Sequence, residues 1–317
     1  MNLRLFDLHC DTLYECNKQN KSLVSNDLNL SLKRLSEYER FCQVLAMWSD
    51  PKDSEDENYR NFFMARELLV RQLSDAEKLG ISVRLCQDSH TLAEAENQGS
   101  MAVMLAVEGG RLLSDDISRL DSLYEAGVRF LTLVWNKTCK IGGAHDTDEG
   151  LTDFGREVVL RCFELGIIPD VSHASAKMTS EVLEMCEKSG KVCVATHSNS
   201  YAVRNHRRNL DDASFKRIAK LGGIVGVSLA PNHLTSSDKC TIDDIAAHIE
   251  RYLSLGGEDT VCLGCDLDGV GHLPEGIENV SDLYKIAEKL AQNNYNEILI
   301  DKIFYANARN FISLWLN

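Results

Sequence analysis

"FDLHCDTL", residues 6–13, places a histidine and two aspartates in an otherwise apolar run near the start of the chain. The run, Leu3–Cys10, has the length and composition of a strand. His9 and Asp11 stand two apart at its end, and side chains at i and i+2 of a strand face the same way. Both therefore point toward one site.

Working outward, seven further runs share this character: Phe41–Trp48, Ser100–Gly110, Val128–Asn136, Gly166–Ala174, Lys191–Ser198, Gly222–Ala230 and Thr260–Gly269. They are near-continuous apolar stretches, the pattern of strands buried on both faces, as in parallel sheets. Helix-like segments lie between them. Asn58–Leu79, Asp115–Ala126, Asp153–Leu165, Ser175–Ser189, Asp211–Leu221 and Thr241–Leu255 carry ordinary start and stop signals, the last five stopping at glycines 127, 166, 190, 222 and 256. Only four prolines occur, and no Gly/Ser-rich linker divides the chain. Eight strand–helix units without interruption predict an α/β protein, a TIM-like (β/α)8 barrel with residues 1–317 as one catalytic domain. The runner-up, an open doubly wound sheet, prefers a glycine-rich first turn, and "HCDTLYE" has none.

A formal net charge of −14 argues against a nucleic-acid partner. No run approaches transmembrane length, and the N-terminus lacks a basic region followed by an apolar core, so the expectation is a soluble cytoplasmic protein with no membrane partner. Asn29, Asn136 and Asn279 begin glycosylation-type triplets that, without a secretory signal, read as chance matches. Eleven scattered cysteines fit a reducing compartment. Cys262 and Cys265 form a lone CxxC inside a strand-like run, where a redox pair is not expected.

The polar residues collect at one place in the pattern. Glu108 ends the third run, His173 the fifth, His197 the sixth, and Asp266 with Asp268 the eighth. In a (β/α)8 barrel those C-terminal ends converge on one mouth, where active sites lie. Taken singly, a histidine after a strand is usually a hydrogen-bonded loop residue, and an acid there is usually a helix cap. Taken together, three histidines and several carboxylates at one mouth are costly to bury without a cation. The five-residue set His9, Asp11, Glu108, His173 and His197 exceeds the three protein ligands of a single catalytic zinc, which favours two ions bridged by Glu108. A bridging hydroxide would attack a carbonyl, with Asp266 as proton acceptor and then donor. Asp170, inside the fifth run, is placed to orient a ligand. His90 and His248 read as helix-surface residues, while His206, His233 and His272 receive no role.

With these residues in place, the sequence resembles the membrane (renal) dipeptidase family of zinc metallopeptidases. The matching stretches are "DLHCDT", "AVEGG", "GLTDFGREVV", "DVSHAS", "THSNSYAVRNHRRNLDD" and "GCDLDGVGHLPEGIENVSD", in order from residue 7 to about 282. The resemblance implies two Zn2+ per chain, one held by His9, Asp11 and Glu108 and the other by Glu108, His173 and His197. Manganese and cobalt share such ligands. It implies Asp266 as acid/base and Arg208 on the substrate's free carboxylate, for which a planar guanidinium is suited. The implied substrate is a small dipeptide with a free C-terminus, L-Xaa-D-Xaa included, and the implied assembly a homodimer. Alternative readings are a binuclear amidohydrolase acting on a cyclic amide or lactone, and a catalytically silent metal-binding barrel.

One departure stands out. Where vertebrate members of the family carry a histidine near the substrate carbonyl, this chain reads "LTLVWN", with Trp135. Its ring can pack on substrate but cannot polarise a carbonyl. His145, in "GGAHDTDEG", lies in a loop within reach of the same mouth.

Overall fold

The computed structural model describes residues 3–317. Strands and helices alternate along the chain: β1 (Arg4–Cys10) and α1 (Thr12–Gln19), β2 (Arg40–Trp48) and α2 (Glu55–Lys78), β3 (Val83–Leu85) and α3 (Ser89–Asn97), β4 (Met101–Glu108) and α4 (Ser118–Glu125), β5 (Val128–Thr132) and α5 (Asp153–Leu165). β6 (Ile168–Asp170) precedes α6 (Ala176–Ser189) and α7 (Asp212–Lys220). β7 (Val225–Val227) precedes α8 (Pro231–Leu234) and α9 (Ile242–Ser254). β8 (Val261–Leu263) is followed by α10 (Tyr284–Gln292), α11 (Glu297–Asp301) and α12 (Asn307–Trp315).

All named pairings are parallel, in the order β6-β5-β4-β2-β1-β8-β7. Residues 194 and 195 fill the remaining gap. Val194 bridges to Asp170 of β6 and Ala195 to Val225 of β7, closing the ring as a (β/α)8 barrel. The expected strand at Lys191–Ser198 is thus a stave of two single bridges rather than a ladder. The Val194 and Ala195 N–H groups donate to the Pro169 and Ile224 carbonyls, but the next two donors turn to side chains: the Thr196 N–H donates to Asp170 Oδ1 (3.0 Å) and the His197 N–H to Ser172 Oγ (3.1 Å). The sequence runs also miss β3, which pairs with the first half of β4 on the side that β5 takes further along.

Two apolar clusters separate the faces of the staves. Phe6, Leu8, Val44, Met104, Phe130, Ile168, Val194 and Cys262 gather with Phe311 and Ile312 of α12. Leu5, Cys10, Leu45, Leu105, Val128, Val225 and Leu263 pack instead with the helical layer, among them Leu69, Val158, Leu183 and Ile249. Each buried Leu, Ile, Val or Phe contributes about 1.5–3 kcal/mol, so the barrel rests on these two layers. The helix starts follow from capping: Thr152, Ser175 and Asp211 each accept a backbone N–H three residues on, from Gly155, Met178 and Ser214. Among the described residues, no helix is long and apolar enough to cross a membrane. All eleven cysteines are free, Cys262 and Cys265 buried among them.

Candidate functional site

A bulge in β1 aims the first two residues of the site. Asp7 pairs with Gln43 and Cys10 with Leu45, so β1 spends three steps where β2 spends two. The extra residue turns His9 to the barrel interior beside the Phe6 and Leu8 face, while Cys10 joins the helix-facing cluster. Asp7 anchors the bend, accepting from Gln43 Nε2 (2.8 Å) and the Cys265 N–H (2.7 Å).

The structure brings all five expected ligands to one buried centre, together with Asp266. His9 Nε2 lies 3.9 Å from Asp11 Oδ2, 3.8 Å from Glu108 Oε1 and 4.0 Å from Asp266 Oδ1. Glu108 Oε1 is 2.9 Å from His173 Nε2 and 3.4 Å from His197 Nε2. The donor atoms of His9, Glu108 and His197 lie within 4.8 Å of one another, as do those of His9, Asp11 and Asp266. Glu108 is on the fourth strand of the chain, because β3 intervenes unseen in the sequence. His173 and Asp266 have φ of 69° and 60°, a left-handed backbone that side chains other than glycine adopt rarely and mostly under functional constraint. Gly269 makes room beside them: a Cβ there would overlap the carboxylates of Asp11 and Asp266.

Hydrogen bonds fix how two of the histidines face the centre. Asp170 Oδ2 accepts from the hydroxyls of Thr132 (2.6 Å) and Thr196 (2.5 Å). With its proton committed to Asp170, Thr196 Oγ1 accepts from His197 Nδ1 (2.9 Å). The His197 Nε2 lone pair is thereby left for the site. Asn136 Oδ1 accepts from His173 Nδ1 (2.7 Å), with the same result. The two Nε2 atoms then stand 2.8 Å apart, both as acceptors and both beside Glu108. Neither ring nitrogen of His9 has a partner, nor does Asp11 Oδ1. Facing lone pairs and unpartnered buried atoms are expensive unless a cation satisfies them. The residues present therefore fit a metal centre.

Burial dominates the electrostatics. It pushes the Glu108 carboxyl up to about 8 and Asp266 up to about 7, and lifts Asp11 well above the usual carboxylate range. Burial, with the positive charge of Arg208 and the neighbouring rings, holds His173 and His197 well below the ordinary histidine value, so both are neutral. Arg208 is buried, donates from Nη2 to the His197 carbonyl (3.2 Å), and leaves Nε without a partner. Arg207 is exposed and donates to the Asp146 carbonyl (2.9 Å).

A cavity of about 210 Å³ opens onto the centre, with Asp11, Glu108, Trp135, His173, His233 and Asp266 in its lining. Trp135 packs edge-on against Trp48, ring centroids 4.7 Å apart. A larger cavity, about 830 Å³, lies at the opposite end of the barrel near Arg40, Met101 and Tyr305, and touches none of the site residues. His145 reaches the mouth: its N–H donates to the His173 carbonyl (2.8 Å), and burial with nearby Arg208 lowers it to about 4.

Three expectations are corrected or extended. His248 is fully buried, not on a helix surface: Nδ1 accepts from the Ser200 N–H (2.9 Å) and Nε2 donates to the Leu234 carbonyl (2.9 Å). Asp268 lines the site cavity but is not among the clustered donor atoms; its carboxylate accepts from Thr12 Oγ1 (2.6 Å) and the Asn29 N–H (2.6 Å). Sequence reasoning passed over Asn136 and Thr196, whose only signal was position, each one residue or one strand-end away from a ligand. His90 is exposed, as expected.

Comparison with known proteins agrees with this architecture. The family model described as membrane dipeptidase (peptidase family M19) matches residues 1–313. An uncharacterized dipeptidase of Schizosaccharomyces pombe is 31% identical over 221 residues, 66% of this chain and 52% of that protein. The chain thus spans about half the length of that curated relative. Among solved structures, the metallopeptidase dipeptidase AC superposes with a TM-score of 0.90 at 23% identity, covering 100% of this chain and 99% of that one. A Rhodobacter sphaeroides metallopeptidase, liganded with a phosphinate mimic of L-Ala-D-Ala, gives 0.90 at 23% identity over 99% and 100%. The probable dipeptidase PvdM of Pseudomonas aeruginosa gives 0.88 at 18% over 98% and 95%. At such identities the superpositions speak to the barrel fold, and the family match speaks to descent. The chain belongs to the membrane dipeptidase family, peptidase family M19.

Proposed function

We propose that this protein is a cytoplasmic, metal-dependent dipeptidase that hydrolyses the amide bond of dipeptides with a free C-terminal carboxylate, L-Xaa-D-Xaa among them. Residues 1–317 act as one catalytic domain, assembled as a homodimer. The observation that carries the reading is the convergence of His9, Asp11, Glu108, His173 and His197 on one buried centre with Asp266 and Arg208 beside it. The phosphinate mimic of L-Ala-D-Ala bound by the Rhodobacter sphaeroides relative supports counting L,D-dipeptides among the substrates.

His9, Asp11 and Glu108 would hold one zinc ion and Glu108, His173 and His197 the other; manganese and cobalt suit the same donors. Such ions, when bound, supply Lewis-acid polarisation of the scissile carbonyl and lower the pKa of water. Arg208 presents its unpartnered Nε to the substrate carboxylate, and its burial strengthens that contact. Trp135 walls the cavity against the rest of the substrate. Asp266, raised to about 7, takes a proton from the attacking water at its carboxylate and returns it to the departing amine nitrogen. Asp170, through Thr196, keeps the His197 ring in register for its role.

The test is metal content with activity. Protein purified without chelator should hold about two ions per chain and cleave L,L- or L,D-dipeptides in a chelator-sensitive way. Asp266→Asn should keep the metal and lose about 10²–10⁴-fold in kcat. Metal without cleavage of any dipeptide would reject the substrate class, and failure to bind metal at all would reject the centre.

A further inference from the structure

A second cavity, about 300 Å³, lies directly behind Trp135, which is a wall of both it and the site cavity. Its lining is positive: Arg111, Lys137 and Lys140 face a single carboxylate, Glu55. Lys140 is already engaged, 3.1 Å from Asp115 Oδ2 and 3.9 Å from Glu55 Oε2. Arg111 gives one Nη1 contact to the Asp50 carbonyl (3.2 Å). Among the described residues, no carboxylate lies within ion-pair distance of Arg111 or Lys137. Arg111, half-buried, is thus the cation of this concavity without a carboxylate partner, with Lys137 at its exposed rim.

The topology says what reaches this cavity. Arg208 follows the stave at 194–195, on the arc that continues to β7 and β8. Ser49, Gly109 and Trp135 follow β2, β4 and β5, on the opposite arc, and all three line the second cavity. A dipeptide whose C-terminal carboxylate sits on Arg208 lays its scissile amide over the centre and directs its N-terminal residue across to that arc. Gly109 lets the Trp135 backbone sit close beside it in that wall, since a Cβ there would stand 3.3 Å from Trp135 Cβ.

We propose that the cavity behind Trp135 is a subsite for an anionic side chain on the N-terminal residue of the dipeptide, so that substrates beginning with Glu or Asp are preferred over their amides. The inference rests on the dipeptidase reading above. Arg111 supplies a planar donor pair for the carboxylate, and Lys137 adds charge at the exposed rim.

The experiment compares kcat/KM for Glu-Ala, Gln-Ala and Ala-Ala on the metal-loaded protein, its Arg111→Gln variant and its Lys137→Gln variant. The wild type should favour Glu-Ala over Gln-Ala by about tenfold, the scale of a charge-assisted hydrogen bond. Arg111→Gln should bring that ratio close to one and leave Ala-Ala unchanged; Lys137→Gln, at an exposed position, should lower the ratio without disturbing the fold. Cleavage of Ala-Ala with no Glu-over-Gln preference, or a preference unmoved in both variants, overturns the subsite alone. No cleavage of any of the three overturns the dipeptidase reading and the subsite with it. Inorganic phosphate that activates Ala-Ala hydrolysis only while Arg111 is present, with no Glu preference, would assign the cavity to a free anion and overturn the substrate assignment.

Discussion

His173 Nδ1 and Asn136 Oδ1 lie 2.7 Å apart, a contact that settles which nitrogen of His173 faces the metal centre. Asn136 follows β5 and His173 follows β6, so neighbouring staves cooperate in orienting one ring. Asn136→Leu should weaken metal affinity by about 10–100-fold, the range for removing the partner that orients a histidine ligand. Equilibrium dialysis against buffered zinc measures this without reference to activity. An unchanged affinity would mean that packing alone orients His173.

Arg208→Lys tests the planar fork while keeping the charge. A buried lysine has one compact ammonium in place of donors arranged for two carboxylate oxygens. We expect KM for a dipeptide to rise about tenfold or more, with a smaller change in kcat. A dipeptide amide, which lacks the carboxylate, should be turned over equally poorly by both proteins. Equal dipeptide kinetics in the two would remove Arg208 from substrate binding.

The carboxylates of the centre set a pH dependence for the metal-free protein. Burial raises Glu108 to about 8 and Asp266 to about 7. A carboxyl raised on folding binds more protons in the folded state than in the unfolded one between its two pKa values, so stability falls as pH rises through that window. For each group the slope is at most about 1.4 kcal/mol per pH unit. Metal replaces those protons. The gap in Tm between metal-loaded and metal-free protein should therefore widen from about pH 5 to pH 8. Paired melting curves at several pH values measure it, and a constant gap would count against buried carboxylates as the metal's main partners.

His248 contributes with the opposite sign. Burial lowers it from the ordinary value of 6.5, and its Nδ1 already accepts from the Ser200 N–H, leaving no place for a second proton. The unfolded chain takes up that proton as pH falls below 6.5, the folded one does not, and stability drops as the solution is acidified. His248→Gln should flatten the slope of unfolding free energy between about pH 6.5 and 5.5 by up to one proton's worth, about 1.4 kcal/mol per unit. Urea titrations of the two proteins across that range compare the slopes. Parallel slopes would show that His248 is protonated in place.

The barrel was legible because parallel strands buried on both faces leave unbroken apolar runs, and the site was legible because its polar residues stand where those runs stop. Ser100–Gly110 shows both features at once, apolar from Met101 to Val107 and then Glu108. What stayed hidden has physical reasons. β3 is three residues long with an exposed arginine at its centre, too short to show a period. The bulge that turns His9 inward is a register relation with β2, which no single strand contains. His248 looked like a surface residue because histidine on an amphipathic helix usually is, and only its two backbone partners make burial tolerable. Thr196 and Asn136 act through other side chains, so their own chemistry gave no sign.

The stave at 194–195 has a consequence for how the barrel breathes. Seven staves are laced by ladders, while this one hangs on single bridges to each neighbour. His173 and His197 flank the same seam, one beyond β6 and one beyond the weak stave, with their Nε2 atoms turned toward each other. On the proposed ligand set, a cation held by both would act as a clasp on the ring from inside. Local opening there would then have to release the metal first, and amide exchange at Val194 and Ala195 would follow occupancy of the centre rather than the backbone alone.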